Sequence, residues 1–364
     1  MSRTIRVGAA CALALLVVVA WPARSSAQWV IESKDQKTNI KIGFLVQPQL
    51  ETLETADQSG TSTNLFLRRF RILFGGKIAD KWTYFFETDS PNVGKGTGTT
   101  GAKDAGFVYM QDAFVSYNHS DAFKVDVGMM LLAQSHNHIQ SAASLLPVDY
   151  GAYTFVESGP TGERVGRDYG VQLRGYPFKQ HFEYRLGVFQ GLRGTDSKNT
   201  LRVAGRGVWY PFAAETGYFY AGTFQGGKRV VGIGASFDKQ KEYGMYGFDA
   251  FIEQPFNKGQ QGITAQFDWN RADGDTFLTS LPKQDNFLLE AGFHFGKGKY
   301  SPFVQYAARN YDNTTTADQN SLQVGFAWWM AGHNRNLKAS IGRQHTEGQP
   351  DRLQALVQLQ IFYY

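Results

Sequence analysis

The chain is predicted to be all-β: a transmembrane antiparallel β-barrel of sixteen strands with an inward-folded long third extracellular loop. Three observations carry this prediction. Segments of about ten residues alternate apolar and polar side chains over most of the chain, as a strand does with lipid on one face and water on the other. The composition, with 40 Gly, 28 Phe and 18 Tyr, suits many short, half-exposed strands separated by turns. The opening residues carry an export signal, which provides the route to an outer membrane.

That signal has Arg3 and Arg6, an apolar run from Val7 to Ala20, and the small residues Ser25-Ser26-Ala27 as a cleavage site. The run is shorter than the roughly 20 apolar residues that a spanning helix needs. Residues 1–27 are therefore expected to be a signal peptide and residues 28–364 a single barrel domain. Cutting after Ala27 leaves 364 − 27 = 337 residues and removes Cys11, the sole cysteine, so the mature protein has neither disulfides nor a thiol nucleophile. It also removes Arg3, Arg6 and Arg24, lowering the formal charge from +5 to +2 and leaving no electrostatic case for nucleic acid.

The first strand, Thr38 to Glu51, turns Ile40, Ile42, Phe44, Val46 and Leu50 to lipid and Lys41, Gln47, Gln49 and Glu51 to water. In the second, Leu65 to Gly75, outward Phe66, Phe70, Ile72 and Phe74 send Arg69 and Arg71 inward. This leaves Arg68 on the lipid side, near a rim where a long side chain reaches the interface. The third faces Trp82, Tyr84 and Phe86 out and Thr83, Glu87 and Asp89 in. A Gly-rich loop, Ser90 to Gly106, separates it from strand four (Phe107 to Tyr117, Asp112 inward) and strand five (Phe123 to Met130, Lys124 and Asp126 inward). From Leu132 to Arg167 the alternation stops. A structureless stretch this long is functional or disordered, and its Leu, Tyr, Phe and Val content argues against disorder. It is expected to fold inward and narrow a pore, with Ser141 to Leu146 making one or two helical turns.

Alternation returns with Tyr169, Val171 and Leu173 against Gln172 and Arg174. It continues with Phe182, Tyr184, Leu186 and Val188 against Glu183 and Arg185, and with Leu201 and Val203 against Arg202 and Arg206. The Gly- and aromatic-rich stretch Ala213 to Lys228 is assigned to the periplasmic rim. Strand nine puts Val231, Ile233, Ala235 and Phe237 outward; ten puts Asp249 and Glu253 inward; eleven opposes Ile263, Ala265, Phe267 and Trp269 to Thr264, Gln266 and Asp268. Strand twelve has Glu290 and His294 inward, and thirteen has Val304, Tyr306 and Ala308 outward. Strands fourteen (Ser321 to Met330), fifteen (Asn336 to His345) and sixteen (Arg352 to Tyr363) complete the set. Short and long connectors alternate, as between periplasmic turns and extracellular loops, and an even strand count puts both termini on the periplasmic side. A soluble β-sandwich explains the alternation but neither that rhythm nor the aromatic final strand.

In this register the inward bases are Lys41, Arg69, Arg71, Lys124, Arg174, Arg185, Arg202, Arg206, Arg309 and Lys338. The inward acids are Glu51, Glu87, Asp89, Asp112, Asp126, Glu183, Asp249, Glu253, Asp268 and Glu290. The totals balance but the signs segregate: Arg174, Arg185, Arg202 and Arg206 fall on three consecutive strands, reinforced by Arg69 and Arg71. Low-dielectric walls focus such a field, so these six form a candidate pore-lining anion path, and the planar guanidinium fork suits phosphate or carboxylate. The competing reading is that the charges keep the lumen wet and pair across strands, Glu183 with Arg202 for example.

Catalytic and metal chemistry finds little footing. Gly94 to Gly98 lacks P-loop spacing and a following helix. His136 and His138 have metal-like spacing but no third ligand in register. Asp273-Gly274-Asp275 lacks the later Glu of a calcium loop and reads as a turn. No catalytic residue, cofactor or metal is expected.

Four segments, in order and spacing, resemble the phosphate-selective porins of the O and P family. They are Leu67-Arg68-Arg69-Phe70-Arg71; Gly166-Arg167-Asp168-Tyr169-Gly170-Val171-Gln172-Leu173-Arg174-Gly175; Tyr184-Arg185-Leu186-Gly187-Val188-Phe189-Gln190-Gly191; and Gly205-Arg206-Gly207-Val208-Trp209-Tyr210-Pro211-Phe212. The resemblance implies a sixteen-stranded outer-membrane channel, a homotrimer amid outer-membrane lipid and lipopolysaccharide. It would pass small hydrophilic solutes, anions such as phosphate or polyphosphate, past a constriction lined by arginines and lysines. The chain departs from the family's pattern in that Leu132 to Gly162 contains no Lys or Arg. The alternatives are a weakly selective general diffusion porin and a soluble or surface-attached β-rich binding protein.

Overall fold

The computed structural model describes residues 29–97, 101–212 and 214–364; the expected signal peptide, residues 1–27, lies outside them. Sixteen strands make the wall: β1 (Asn39–Glu54), β2 (Thr61–Ala79), β3 (Trp82–Asp89), β4 (Tyr109–Ser120), β5 (Phe123–Leu131), β6 (Arg167–Gly175), β7 (Phe182–Phe189), β8 (Arg202–Trp209), β9 (Val230–Gln240), β10 (Tyr243–Phe256), β11 (Gln261–Asp273), β12 (Gln284–His294), β13 (Tyr300–Tyr311), β14 (Gln319–Trp329), β15 (Arg335–Thr346) and β16 (Arg352–Tyr363). Each pairs antiparallel with the next, and β16 pairs back onto β1, with Val357 opposite Leu50 and Tyr363 opposite Phe44. The sheet is closed, so none of these sixteen strands is an edge strand. A short strand, Trp29–Glu32, adds to the first residues of β1.

The period of two divides the wall into faces. Val171, Leu186, Val203 and Ile252 are exposed on the outside, while Gln172, Arg185, Arg206 and Glu253 from the same strands are buried on the inside. Among the described residues no helix is long and apolar enough to cross a membrane; the crossing is made by strands.

The second strand departs from simple alternation. Gln47 faces Arg69 but Pro48 faces Leu67, so Arg68 is an extra residue, a β-bulge. Pro48 has no N–H for the ladder, which favours a bulge there. The extra residue reverses the parity expected before it: Phe66 is buried inside and Arg68 reaches an inner carboxylate instead of lipid.

Both sheet ends, the start of β1 and the end of β16, lie at one rim, called here the terminal rim, and the other is the loop rim. The expected rhythm of short and long connectors breaks twice. Residues 210–229 make a long connection at the terminal rim, and β9 turns into β10 through residues 241–242 alone at the loop rim.

Candidate functional site

The interior is built first by residues 132–166. Their short helices are His136–Ile139 and Ser158–Thr161, not the expected turns at Ser141 to Leu146; Ser135 caps the first, its Oγ accepting from the His138 amide at 3.1 Å. Strands from several sides of the wall then bond the segment. The Asn137 amide donates to Asp268 of β11 (3.0 Å), Gln47 of β1 donates to the Ala142 carbonyl (3.2 Å), and Gln360 of β16 donates to that of Ala143 (2.7 Å). Lys338 of β15 donates to the carbonyls of Leu145 and, at 3.0 Å, Pro147. Each such bond is worth about 0.5–1.5 kcal/mol net, more where one partner is charged, so together they hold the segment against the inner wall.

Residues 214–226, expected at the rim, are instead drawn inward against this segment. Gln140 and Tyr220 form a parallel bridge, with the Ser141 amide donating to the Tyr220 carbonyl (2.9 Å) and the Tyr220 amide to that of Ile139 (3.1 Å). Glu253 of β10 gathers the amides of Phe224 (2.7 Å) and Gly226 (2.6 Å). His136 is stacked at 4.0 Å on Phe251 of β10 and at 5.0 Å on Tyr220, and its Nε2 lies 2.7 Å from Glu215. Burial lowers the His136 pKa, but the Glu215 carboxylate outweighs it and the net shift is upward. His138 turns the other way, to Glu157 at 3.0 Å, so the two histidines share no centre. Among the described residues no three metal-binding side chains converge.

Each of the six candidate arginines is ion-paired. Arg69 meets Asp149 at 2.6 Å; Arg71 meets Glu87 at 2.8 Å and Asp89 at 2.9 Å; Arg174 meets Asp126 at 2.6 Å. Arg185 pairs at 2.7 Å with Glu183 on its own strand, so Glu183 is not the partner of Arg202. Arg202 pairs with Asp238 and lies 2.9 Å from Glu163, and Arg206 pairs with Asp249. Sequence reasoning missed the loop acids Asp149, Glu157, Glu163 and Glu215, and also Asp238 and Arg167. Asp238 was legible, since it follows outward Phe237 in an alternating strand. Arg167, paired with Asp112 at 3.2 Å, sat inside a quoted motif.

The six separate by location. All six are buried, but Arg185, Arg202 and Arg206 lie beneath the inserted segments, Arg185 and Arg206 against Tyr220 and Arg202 against Glu163. Arg69, Arg71 and Arg174 instead border open space along β1 to β6. A cavity of about 440 Å³ at the loop rim is lined by Arg68 and Arg69, a small one of about 80 Å³ by Arg71 and Arg167, and one of about 380 Å³ toward the terminal rim by Arg174. The second and third share Phe85, Ser141, Phe219 and Tyr364. Tyr150 lines the first and packs on Leu45, Leu73 and Ala142 beside the second, and its hydroxyl donates to the Gln140 carbonyl at 2.6 Å. It is the partition between them. Burial would raise the Asp149 carboxyl beside it, yet Arg68 and Arg69 hold it well below the usual carboxylate range. Burial raises the Glu163 carboxyl to about 8, with Arg202 opposing and Glu157 and Asp168 adding.

The family model of phosphate-selective porin O and P matches residues 40–269. A search of curated proteins found no match. Among solved structures, the chain is similar to the anion-selective porin from Comamonas acidovorans, at 12% identity and TM-score 0.60, covering 90% of this chain and 100% of that one. OmpF of Salmonella typhi, in complex with daunomycin, is similar at 12% identity and TM-score 0.60, covering 92% and 100%. OprB of Pseudomonas putida is similar at 8% identity and TM-score 0.63, covering 90% and 95%. At such identities the likeness speaks for the fold.

Proposed function

The chain belongs to the phosphate-selective porin O and P family, an outer-membrane channel by family and fold, and on that premise we propose that it passes small hydrophilic anions by passive diffusion. The observation that carries this reading is the stack of cavities against β13 to β16 and β1 to β6, each bordered by arginine. In this reading residues 132–166 are the third extracellular loop and narrow the pore at Tyr150. Residues 210–229 enter from the periplasmic side. Of the six candidate arginines, Arg69, Arg71 and Arg174, joined by Arg167, face the solute. Arg185, Arg202 and Arg206 brace the opposite wall. The name of the anion-selective neighbour from Comamonas supports an anionic solute, and a trimer form of Vibrio cholerae OmpT among the neighbours supports a homotrimer. Export by a cleaved peptide, residues 1–27, and a setting of outer-membrane lipid and lipopolysaccharide complete the proposal.

A weakly selective diffusion channel is the second reading, and the pairing of every candidate arginine with a carboxylate favours it. A paired guanidinium leaves little net field, so the expected anion preference is modest. Reversal potentials across a salt gradient in planar bilayers decide the sign. Arg69→Ala with Arg174→Ala should move the potential toward cations by more than Arg185→Ala with Arg206→Ala. A cationic preference in the wild type sinks the reading, and a larger effect of the second pair moves the path to the other wall.

A further inference from the structure

The loop-rim cavity contains a wall that bare anion passage does not require. Across β13 to β16 six of the eight residues lining it are amides or hydroxyls, with Phe303 and Leu356 the other two: Gln305 stands opposite Gln323, and Ser321 stands opposite Gln344. Gln323 lies over Gly342, where a Cβ would meet its Cδ at 2.7 Å, and its Nε2 donates to Gln354 at 3.0 Å. Two atoms of this wall have no hydrogen-bond partner: Oε1 of Gln323 and Oγ of Ser340, on residues that are each 8% exposed. A buried, unpartnered oxygen lining a cavity invites a donor from whatever enters it. Opposite the amides stand Arg68 and Arg69, sharing Asp149, and Lys95, paired with Glu51 at 2.8 Å. These are the charged side chains of the lining, three cations against two carboxylates, so one positive charge is in excess.

From this arrangement we propose that the loop-rim cavity is a binding subsite for a hydroxylated monoanion of the sugar-acid class. The proposal rests on the anion-channel reading and names the solute for it. Amides both donate and accept, as a hydroxyl does, so a row of Gln and Ser matches a polyhydroxylated body. The guanidinium pair takes the carboxylate. Phe66, buried on the inner face through the Arg68 bulge, and Phe303 add apolar surface for the ring's C–H face. At about 440 Å³ the cavity is within the size range of small-molecule sites. Inorganic phosphate would leave the amide wall unused, and a polyphosphate would need more than one uncompensated charge.

The test is block of the chloride current through single channels of the full mature protein, with D-glucuronate, acetate, D-glucose and inorganic phosphate added in turn to the loop side. Glucuronate is expected to bind about ten-fold or more tighter than any of the other three, because a site built to hydrogen-bond hydroxyls discriminates against solutes lacking them. Gln323→Met with Gln344→Met should reduce its advantage over acetate to less than about three-fold. Equal block by acetate or phosphate would mean that charge alone is read, and equal block by glucose that the arginines are not used; either result overturns the subsite while leaving the anion channel standing. A cationic reversal potential overturns the channel reading itself, and the subsite with it. If the double variant does not insert, the wild-type series alone decides.

Discussion

Asp149 accepts from Arg68 at 2.6 Å and from Arg69 at 2.6 Å, so a single carboxylate sets how much of two positive charges a passing solute meets. Asp149→Asn keeps the shape and removes the charge. It is expected to shift the reversal potential toward anions, and an unchanged potential would place the solute path away from Tyr150. Acid should do the same to the wild type, and the sign follows from the depressed pKa. A carboxylate lowered in the fold lends its stabilisation above the ordinary value of about 3.9 and loses it as pH falls through the lower folded value. The tie therefore persists from neutrality through the whole ordinary carboxylate range, and selectivity should rise only as pH falls through the lower folded value. Lys338 is a different case, since its ammonium serves the Leu145 and Pro147 carbonyls inside the barrel. Lys338→Met leaves both carbonyls without that donor, at a cost of about 1–3 kcal/mol, and should lower the unfolding temperature without reversing the sign of selectivity.

Two connections, one from each rim, meet inside the barrel, and the contact between them includes a titratable pair. His136 lies between Phe251 and Tyr220, with Glu215 beside it and Asp249 and Asp268 also acting on it, all favouring the imidazolium. A histidine whose folded pKa is raised contributes stability that is fully present below the unfolded value of about 6.5 and is lost as pH rises through the folded value. The seam between Gln140 and Tyr220 is thus expected to loosen at alkaline pH. Amide exchange at Ser141 and Tyr220, corrected for its intrinsic pH dependence, should lose protection as pH rises above about 6.5 in the wild type. In Glu215→Gln the loss should be much smaller. A pH-independent seam in the wild type would show that stacking alone holds it.

At the scale of the molecule, closure of β16 onto β1 satisfies the ladder around the wall, and the strands present an apolar outer face. Such a barrel has no edge at which detergent can begin to unzip it. The folded protein is expected to resist SDS until heated and to migrate faster or as an oligomer before heating. A single, heat-independent band would contradict a stable closed wall. Within that wall the inserted segments leave open space beside β13 to β16 and β1 to β6 and fill the side of β7 to β12, where Phe251, Val208 and Tyr210 pack with Ala214 and Val230. The route is consequently eccentric, and substitutions on the two sides should differ in kind: conductance and selectivity on one, stability on the other.

The strands and the side that most of their residues face were determined by the sequence alone, because a wall between lipid and water imposes a period of two that any ten residues display. Arg352 to Tyr363 of β16 and the inward Arg174, Arg185, Arg202 and Arg206 were readable in that way. So was the family, from four local motifs. The tertiary structure decided what period cannot carry: that Arg68 bulges opposite Pro48 and turns Phe66 inside, and that Tyr220 is drawn in to meet Gln140. It also decided that Arg202 finds Asp238 and Glu163 rather than Glu183. These depend on residues far apart in the chain whose proximity follows only from strand register and from the inward fold of the long connections. The charge a solute meets is therefore a property of pairs, and single positions in a strand do not reveal their partners.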